Sequence, residues 1–264
     1  MLTCGRLNLP IFLNRIQQEA AISFVSAESK DVRQDPNDAV QRMFESISPR
    51  YDLLNHFLSG FMDRSWRRSA VGLLPQAQRV LDLCAGTGDL SVEIHRQLGP
   101  DVLLVSADFA GEMLKRSMAK IRAIGGVPRP VQADARCLPW PDSSFDAVTV
   151  AFGIRNIYPP EVGLREISRV LRPGGHLVVL EFFGPRRGPV KSFFDFYSRQ
   201  VLPRVGGVIS GDAGAYRYLP ESVAAFTGRE RFEELLAESQ LKCERRVELS
   251  GGIATALLAV RQAG

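Results

Sequence analysis

Segments typical of strands and of helices alternate along the chain from residue 79 to residue 182. Short apolar runs of strand length are separated by longer stretches whose apolar residues have helical spacing. Helices on both faces of a mostly parallel sheet are the usual result of this order. The alternation therefore predicts an α/β fold, and such folds bind ligands where the carboxyl ends of the strands meet.

The same pattern predicts seven strands and the helices between them. Strands are predicted at 79–85, 102–108, a short segment ending at Asp134, 147–152, 176–182, 243–249 and 253–260. Helices are predicted at 89–98, 111–124, 162–171 and 229–239, and Arg172–Gly175 is expected to end the third of these. A helix capped by Asp38 and short aromatic-rich helices between Tyr51 and Trp66 are predicted to precede the sheet.

A glycine-rich turn joins the first predicted strand to the helix that follows it. Gly86 and Gly88 allow the backbone to approach a ligand, and the N–H groups at the start of the helix face that ligand. A dinucleotide fingerprint requires a third glycine at position 91, where this chain has Ser91. The flanking acids Asp82 and Asp89 would repel a pyrophosphate, but they suit a cationic ligand such as S-adenosylmethionine (SAM). An ordinary turn in an unrelated α/β protein remains the alternative.

Acidic residues lie at the ends of three successive predicted strands, at Asp82, Asp108 and Asp134. Asp108 is placed to accept hydrogen bonds from ribose hydroxyls, a role shared by nicotinamide and SAM enzymes. Asp134 and the adjacent Ala135 are placed to meet an adenine amino group. Each acid alone could simply cap a helix. The series of three favours a cofactor site at this edge of the sheet.

Composition excludes several classes of protein. None of the four cysteines has a partner at the CxxC spacing and no histidine cluster lies near them, so we predict no metal site. No apolar run approaches the ~18 residues that span a bilayer. We predict no nucleic-acid partner. We expect a cytoplasmic location, and peripheral contact with the inner membrane is an open alternative.

Residues 1–36 differ from the rest of the chain. Arg6 and Arg15 precede the first acidic residue, Glu19, and apolar residues are scattered between them. We predict a disordered N-terminal extension. An organelle transit peptide and a start codon assigned too far upstream are the alternatives.

Four motifs closely resemble those of the ubiquinone/menaquinone biosynthesis C-methyltransferases. They are Asp82–Leu90, Leu138–Asp142 with Ser144–Asp146, Ala151–Asn156 and Arg169–Gly175. All except the third are widespread among class I methyltransferases, so they indicate SAM binding without specifying an acceptor. The segment Phe152–Asn156 is more specific to the quinone branch, as are Phe44–Asn55, Trp66 and Gly211–Ser222. The resemblance covers residues 40 to 260.

This resemblance implies a Rossmann-like class I methyltransferase fold in a single domain at 37–264, with helical N-terminal and substrate-lid elements. It implies SAM as the co-substrate and a prenylated quinol as the acceptor, with demethylmenaquinol favoured. It also admits a homodimer or a quinone-biosynthesis complex. The cofactor contacts that it implies are Thr87, Asp108, Asp134 and Ala135, and we add Asp82, Gly86, Gly88 and Ala151. Ala151 departs from the family pattern, in which a serine often precedes Phe-Gly.

Methylation of a ring carbon suggests roles for Arg155 and Asn156. A quinol becomes a carbon nucleophile when its hydroxyl loses a proton, and phenolic hydroxyls have pKa values near ~10. The resemblance implies that Arg155 positions water and stabilises the oxyanion. Because arginine stays protonated, it is better suited to stabilising the negative charge of the oxyanion than to acting as a base. A salt bridge that holds the loop is the alternative role for Arg155. Weaker candidates for proton handling are His56, Tyr51, Asp212 and Tyr216.

An aromatic and basic stretch follows the last strand of the alternating region. Phe193, Phe196, Tyr197 and Val201 have the spacing of one helical face, which fits either a core helix or a groove for a prenyl tail. In the second case the neighbouring cations would face anionic lipid headgroups, and these are Arg186, Arg187, Lys191, Arg199 and Arg204.

Two other functions remain open from the sequence. A nicotinamide oxidoreductase is disfavoured by Ser91 and by the acids around the glycine turn. A non-catalytic methyltransferase-like subunit is disfavoured by the intact glycines and acids.

Overall fold

The computed structural model describes residues 36–48, 51–183, 222–223, 225–226 and 228–263. The N-terminal extension, the aromatic and basic stretch, Asp212 and Tyr216 lie outside the described residues. The helices of eight or more residues in the described part are α1 (Pro36–Ile47), α2 (Tyr51–Leu58), α3 (Met62–Val71), α4 (Asp89–Leu98), α5 (Gly111–Ala123), α6 (Pro160–Val170) and α7 (Arg229–Glu238). None of the described helices has the length and apolar character needed to span a bilayer.

Seven strands form one sheet in the order β3-β2-β1-β4-β5-β7-β6. They are β1 (Arg79–Leu83), β2 (Leu103–Asp108), β3 (Pro130–Gln132), β4 (Phe145–Ala151), β5 (Leu171–Glu181), β6 (Leu241–Leu249) and β7 (Ala254–Arg261). The first five strands are parallel, whereas β7 runs antiparallel to both β5 and β6. The predicted mostly parallel α/β sheet is confirmed, and its strand order reverses between β1 and β4.

Two predicted boundaries were wrong. β3 ends at Gln132, so Asp134 lies in the loop beyond the strand. Helix α6 ends at Val170 as the glycines suggested, but β5 already begins at Leu171, which is paired with Phe145. The next pair joins His176 to Ala147, so residues 172–175 form an irregularity within the strand. This bulge was not predicted because proline and glycine are more often found at breaks than inside strands.

The core lies on both faces of the sheet. One face of β4 packs with α6 and α7 through Phe145, Leu164 and Phe232, all of which are fully buried. On the opposite face, Val80 packs with Ile94 of α4. Because helices cover both faces, the central strands are apolar throughout. This packing fixes the carboxyl ends of β1, β2 and β4 beside one another.

Candidate functional site

A cleft opens where the carboxyl ends of β1, β2, β3 and β4 meet, at the reversal of strand order. Its empty volume, including the part open to solvent, is about 750 Å³. That size is within the range of small-molecule sites, and the position is the one expected for ligands in open α/β sheets. The lining residues are Asn37, Val40, Gln41, Phe44, Tyr51, Leu83, Cys84, Gly86, Asp108, Phe109, Ala110, Met113, Ala133, Asp134, Ala135, Ala151, Phe152, Gly153, Asn156 and Ile157.

The glycine turn uses its two glycines for different purposes. Gly86 has φ +55°, and a Cβ built on it would meet no atom within 4 Å, so its cleft side is open to a ligand. Gly88 has φ +85°, and a Cβ there would lie 2.9 Å from the Cβ of Ser117 and closer still to its Oγ. Gly86 therefore lines the cleft, whereas Gly88 allows α4 to begin close against α5.

Asp108 forms part of the cleft wall at the end of β2. Its Oδ2 accepts a hydrogen bond from the backbone N–H of Gly86 (2.8 Å), and its Oδ1 accepts one from the N–H of Ala110 (2.8 Å). Burial raises the pKa of the Asp108 carboxyl, and these backbone donors oppose the rise. Each oxygen has a further lone pair, so the carboxylate can still accept from the hydroxyls of a ligand.

Most of the cleft lining is apolar. Met113 and Ile157 contribute to the lining, and Ala135 is 7% exposed. Asp134 is held in place by Arg136, whose Nη2 lies 2.7 Å from Oδ2 and whose backbone N–H donates to Oδ1 (2.8 Å). An apolar slot beside an acidic edge can accept a planar heterocycle that carries an amino group.

Three residues predicted as cofactor contacts do not line the cleft. Asp82 is fully buried, and its carboxylate accepts hydrogen bonds from Ser91 (2.5 Å) and Thr149 (3.0 Å). Burial raises its pKa to about 7. Thr87 is 2% exposed and donates to Asp52. In this structure Asp82, Thr87 and Gly88 lie behind the lining of the glycine turn, and their contacts with a cofactor stay a prediction.

A network of charges surrounds Thr87 and joins α2, α3, α4 and α5. The Nδ1 atom of His56 lies 2.7 Å from Asp63, and Lys120 bridges Asp89 (2.5 Å) and Asp52 (2.7 Å). Potential ligand atoms of His56, Asp63 and Asp89 lie within 4.8 Å of one another, so they could hold a cation. Arg67 also pairs with Asp63. Together, Arg67 and Lys120 offset the negative charge of the acids in the network, which are Asp52, Asp63 and Asp89. The arrangement therefore fits an ion-pair network better than a metal site.

The structure separates the two predicted catalytic residues. Asn156 lines the cleft, whereas Arg155 is 6% exposed at its side chain and lies behind the wall. Its Nη1 donates to the carbonyl of Phe152 (2.5 Å) and to Oε1 of Glu181 (2.9 Å), and its Nε donates to Ser222 (3.2 Å). These contacts match the alternative role, a salt bridge that holds the loop. They also place Arg155 beside Glu181, an acid that was not selected from the sequence.

Sequence reasoning missed further residues around the cleft. Asn37 of α1 donates to the carbonyl of Tyr158 (2.9 Å) and accepts from its N–H (3.2 Å). Gln41 donates to the carbonyl of Phe109 (2.8 Å). These bonds hold α1 across the cleft. No sequence motif identifies Asn37 or Gln41. Glu181, in contrast, ends an apolar strand just as Asp108 does, so its position in the sequence could have indicated a site residue.

Comparison with known proteins agrees with this geometry. Residues 28–261 match the model of the ubiE/COQ5 methyltransferase family. The demethylmenaquinone methyltransferase of Deinococcus radiodurans is 47% identical over 224 residues, which are 84% of this chain and 92% of that protein. The protein of the same name from Thermus thermophilus is 50% identical over 74% of this chain and 89% of its own length. The ubiquinone/menaquinone biosynthesis C-methyltransferase UbiE of Geobacter sulfurreducens is 42% identical over 83% and 86%.

Solved structures support the fold alone. Magnesium protoporphyrin IX methyltransferase from Synechocystis PCC 6803, solved with bound SAM, has a TM-score of 0.61 at 16% identity. The aligned residues are 88% of this chain and 100% of that protein. A SAM-dependent methyltransferase from Thermotoga maritima has a TM-score of 0.58 at 19% identity and covers 84% and 99%. The family match over most of the chain and the high identity to its members show that the chain belongs to the ubiE/COQ5 methyltransferase family.

Proposed function

We propose that the chain transfers a methyl group from SAM to a ring carbon of a prenylated quinol in quinone biosynthesis, with demethylmenaquinol as the favoured acceptor. One observation carries this proposal: the cleft at the strand reversal brings Gly86, Asp108 and Asp134 together in a chain of this family. Two relatives at 47% and 50% identity bear the name demethylmenaquinone methyltransferase, which favours the menaquinone branch.

The cleft has the chemistry that SAM requires. SAM supplies an electrophilic methyl group on a positively charged sulfur. Among the described lining residues there are two carboxylates, Asp108 and Asp134, and no lysine or arginine, so the cleft favours a cation over a phosphate. Asp108 is placed to accept from ribose hydroxyls, and the apolar slot beside Asp134 can hold adenine. Gly86 leaves room for the backbone to approach the ligand.

The cleft also suits an aromatic acceptor. Phe44, Tyr51 and Phe152 line it, and the ring of Phe152 stacks on Phe182 at a centroid distance of 4.4 Å. These side chains can pack against the ring of the quinol and hold it beside the methyl group of SAM. Such positioning of two reactants is a main contribution of an enzyme to the rate of a group transfer. Asn156 lies in the same wall and can hydrogen-bond a ring oxygen.

The proposal is tested by product analysis. The purified chain is incubated with methyl-labelled SAM and either demethylmenaquinol or the reduced methoxy-benzoquinol precursor of ubiquinone, and the products are identified by mass. We expect the label on the ring of demethylmenaquinol. Matched reactions with the oxidised quinones should give no product, because an oxidised ring is electron-poor and has no hydroxyl to ionise. Equal rates with quinone and quinol would contradict the mechanism, and no product with either quinol would refute the function.

A further inference from the structure

The carboxylate of Glu181 is only half satisfied. Its Oε1 accepts from Nη1 of Arg155 (2.9 Å) and from the backbone N–H of Phe182 (2.7 Å). Its Oε2 is buried and has no hydrogen-bond partner among the residues that the structure describes. Glu181 itself is fully buried. A buried carboxylate oxygen without a donor is costly to the folded state, so this atom has the character of a site that a bound group completes.

Arg155 offers a donor beside this open acceptor. Within the described part of the chain, its hydrogen bonds use Nε and Nη1, and none uses Nη2. The pair therefore presents an acceptor on Glu181 and N–H donors on Arg155. A hydroxyl group donates one hydrogen bond and accepts others, so it matches both partners at once.

The pair lies next to the wall of the cleft. Arg155 donates to the carbonyl of Phe152, whose ring lines the cleft. Burial raises the pKa of Tyr51, and the charge of Arg155 opposes that rise. Burial likewise raises the pKa of the Cys84 thiol, and the charge of Glu181 is among those that add to it. Both Tyr51 and Cys84 line the cleft, so the charges of the pair act on its interior.

We propose that Glu181 removes the proton from the acceptor hydroxyl through one water, while Arg155 donates to the oxygen that becomes negatively charged. This inference rests on the proposed function and names the base for it. The O–H bond breaks, the proton goes to Oε2, and the electron pair raises the density on the ring carbon. That carbon forms the new bond to the methyl group, and the electrons of the broken carbon–sulfur bond stay on sulfur. Loss of the ring C–H proton and return of a proton to oxygen restore the aromatic ring, with one proton released overall.

The protonation chemistry of the two residues suits these roles. Burial raises the pKa of Glu181 despite the opposing charge of Arg155. A carboxylate with a raised pKa is a stronger base than an ordinary one and lies closer to a phenolic hydroxyl in proton affinity. The guanidinium of Arg155 can donate hydrogen bonds to an oxyanion and stabilise its charge.

The decisive variant is Glu181→Gln. Glutamine has the same shape and keeps an oxygen for Arg155, but it cannot take a proton. We expect kcat with the reduced quinol to fall ~10²–10⁴-fold at pH 7, the usual contribution of a general base, with SAM affinity within a few-fold of wild type. The residual rate should climb as the pH approaches the phenolic pKa of ~10, because hydroxide then ionises the acceptor. A ring halogen makes the acceptor hydroxyl more acidic, so with such an acceptor the kcat of the variant should come closer to that of wild type.

Glu166→Gln is the matched control. Glu166 also pairs with an arginine, since its Oε1 lies 2.7 Å from Nε of Arg169. Unlike Glu181, it has donors at both oxygens, because its Oε2 accepts from the backbone N–H of Leu138 (2.7 Å) and from Nη2 of Arg169 (2.8 Å). This variant should show neither the rate loss nor the altered pH profile. A merely structural role for Glu181 would lower stability or SAM affinity without changing the dependence on acceptor acidity.

The outcomes separate this inference from the proposed function. If wild type methylates the quinol and Glu181→Gln does so within about fivefold of it at pH 7, Glu181 is not the base. If wild type methylates no reduced quinol, the proposed function fails, and the inference fails with it. If Glu181→Gln does not fold, the wild-type pH profile decides. A kcat that falls on acidification at a pH above the usual carboxyl value of ~4.3 supports the inference, and a kcat that does not fall down to pH ~5 overturns it.

Discussion

Replacing Gly88 with alanine tests how the glycine turn is built. The left-handed backbone at φ +85° costs an alanine ~1–2 kcal/mol. The new Cβ would also clash with Oγ of Ser117, its nearest neighbour, and would lie 2.9 Å from the Cβ of that residue; relieving such overpacking costs ~1–3 kcal/mol. Gly88→Ala should therefore lower the free energy of unfolding by about 2–5 kcal/mol. Because α4 must move away from α5, the cofactor side of the turn should shift and SAM affinity should fall.

Two further variants isolate the clash. Gly125 has a similar φ of +78° but no atom within 4 Å of its Cβ position, so Gly125→Ala should show only the backbone cost of ~1–2 kcal/mol. Ser117→Ala removes a buried Oγ that has no hydrogen-bond partner among the described residues, so it should be nearly neutral alone. Combined with Gly88→Ala it should recover ~0.5–3 kcal/mol, the usual coupling between residues in contact. Urea unfolding gives the free energy of unfolding of the four variants and of wild type. The reasoning is refuted if Gly88→Ala lowers this free energy no more than Gly125→Ala does, or if adding Ser117→Ala does not reduce the loss caused by Gly88→Ala.

Three other predictions follow from the site. Asp108→Ala should weaken SAM binding about ten- to a hundredfold, because a charge-assisted hydrogen bond contributes ~1.5–3 kcal/mol; unchanged affinity in calorimetric titration would exclude the ribose contact. Arg155→Lys should lower turnover ~10²–10³-fold with SAM affinity retained, because lysine keeps the charge but not the planar fork of donors; near-normal turnover would remove Arg155 from the mechanism, and loss of SAM binding would favour the loop-holding role. Asp82 keeps its proton in the folded state up to about pH 7, whereas an unfolded aspartate releases it near ~3.9, so this group makes the free energy of unfolding decline as the pH rises between these values. Urea unfolding of Asp82→Asn should show about 2–3 kcal/mol less decline than wild type between pH 5 and pH 8, and an equal decline would show that Asp82 is not buried as a neutral acid.

The elements of the sheet could be predicted because each carries its own local signal. α4 begins at Asp89 and ends at Leu98, as the helical spacing indicated, and β2 ends at Asp108. The glycine turn and the acids beyond the strands lie at one edge of the sheet because parallel strands end together. Local pattern and overall fold agree in this region, and such agreement makes a sequence easy to interpret.

The direction of Asp82 could not be predicted for a physical reason. β1 is covered by helices on both faces, so its apolar residues do not alternate and give no indication of which face each side chain takes. Asp82 is adjacent to Thr149 across the pairing with β4, and Thr149 is distant from it in sequence; its other partner, Ser91, lies in the helix after the turn. Only the register between strands shows that this acid faces the buried interior of the sheet.

The Arg155–Glu181 pair shows where stability and function diverge. A buried ion pair rarely stabilises a fold more than apolar residues of the same size would, because both charges lose their hydration. Here Oε2 of Glu181 also has no partner among the described residues, which adds a further cost. The pair nevertheless lies at the ends of two central strands, directly behind the aromatic wall of the cleft. Perturbed carboxyl groups with a specific charge partner concentrate at functional sites, because burial tunes their proton affinity. The contact by which Arg155 can hold the loop therefore also puts the carboxylate of Glu181 beside it, and with Glu181 as the proposed base the two roles weighed for this arginine belong to one arrangement.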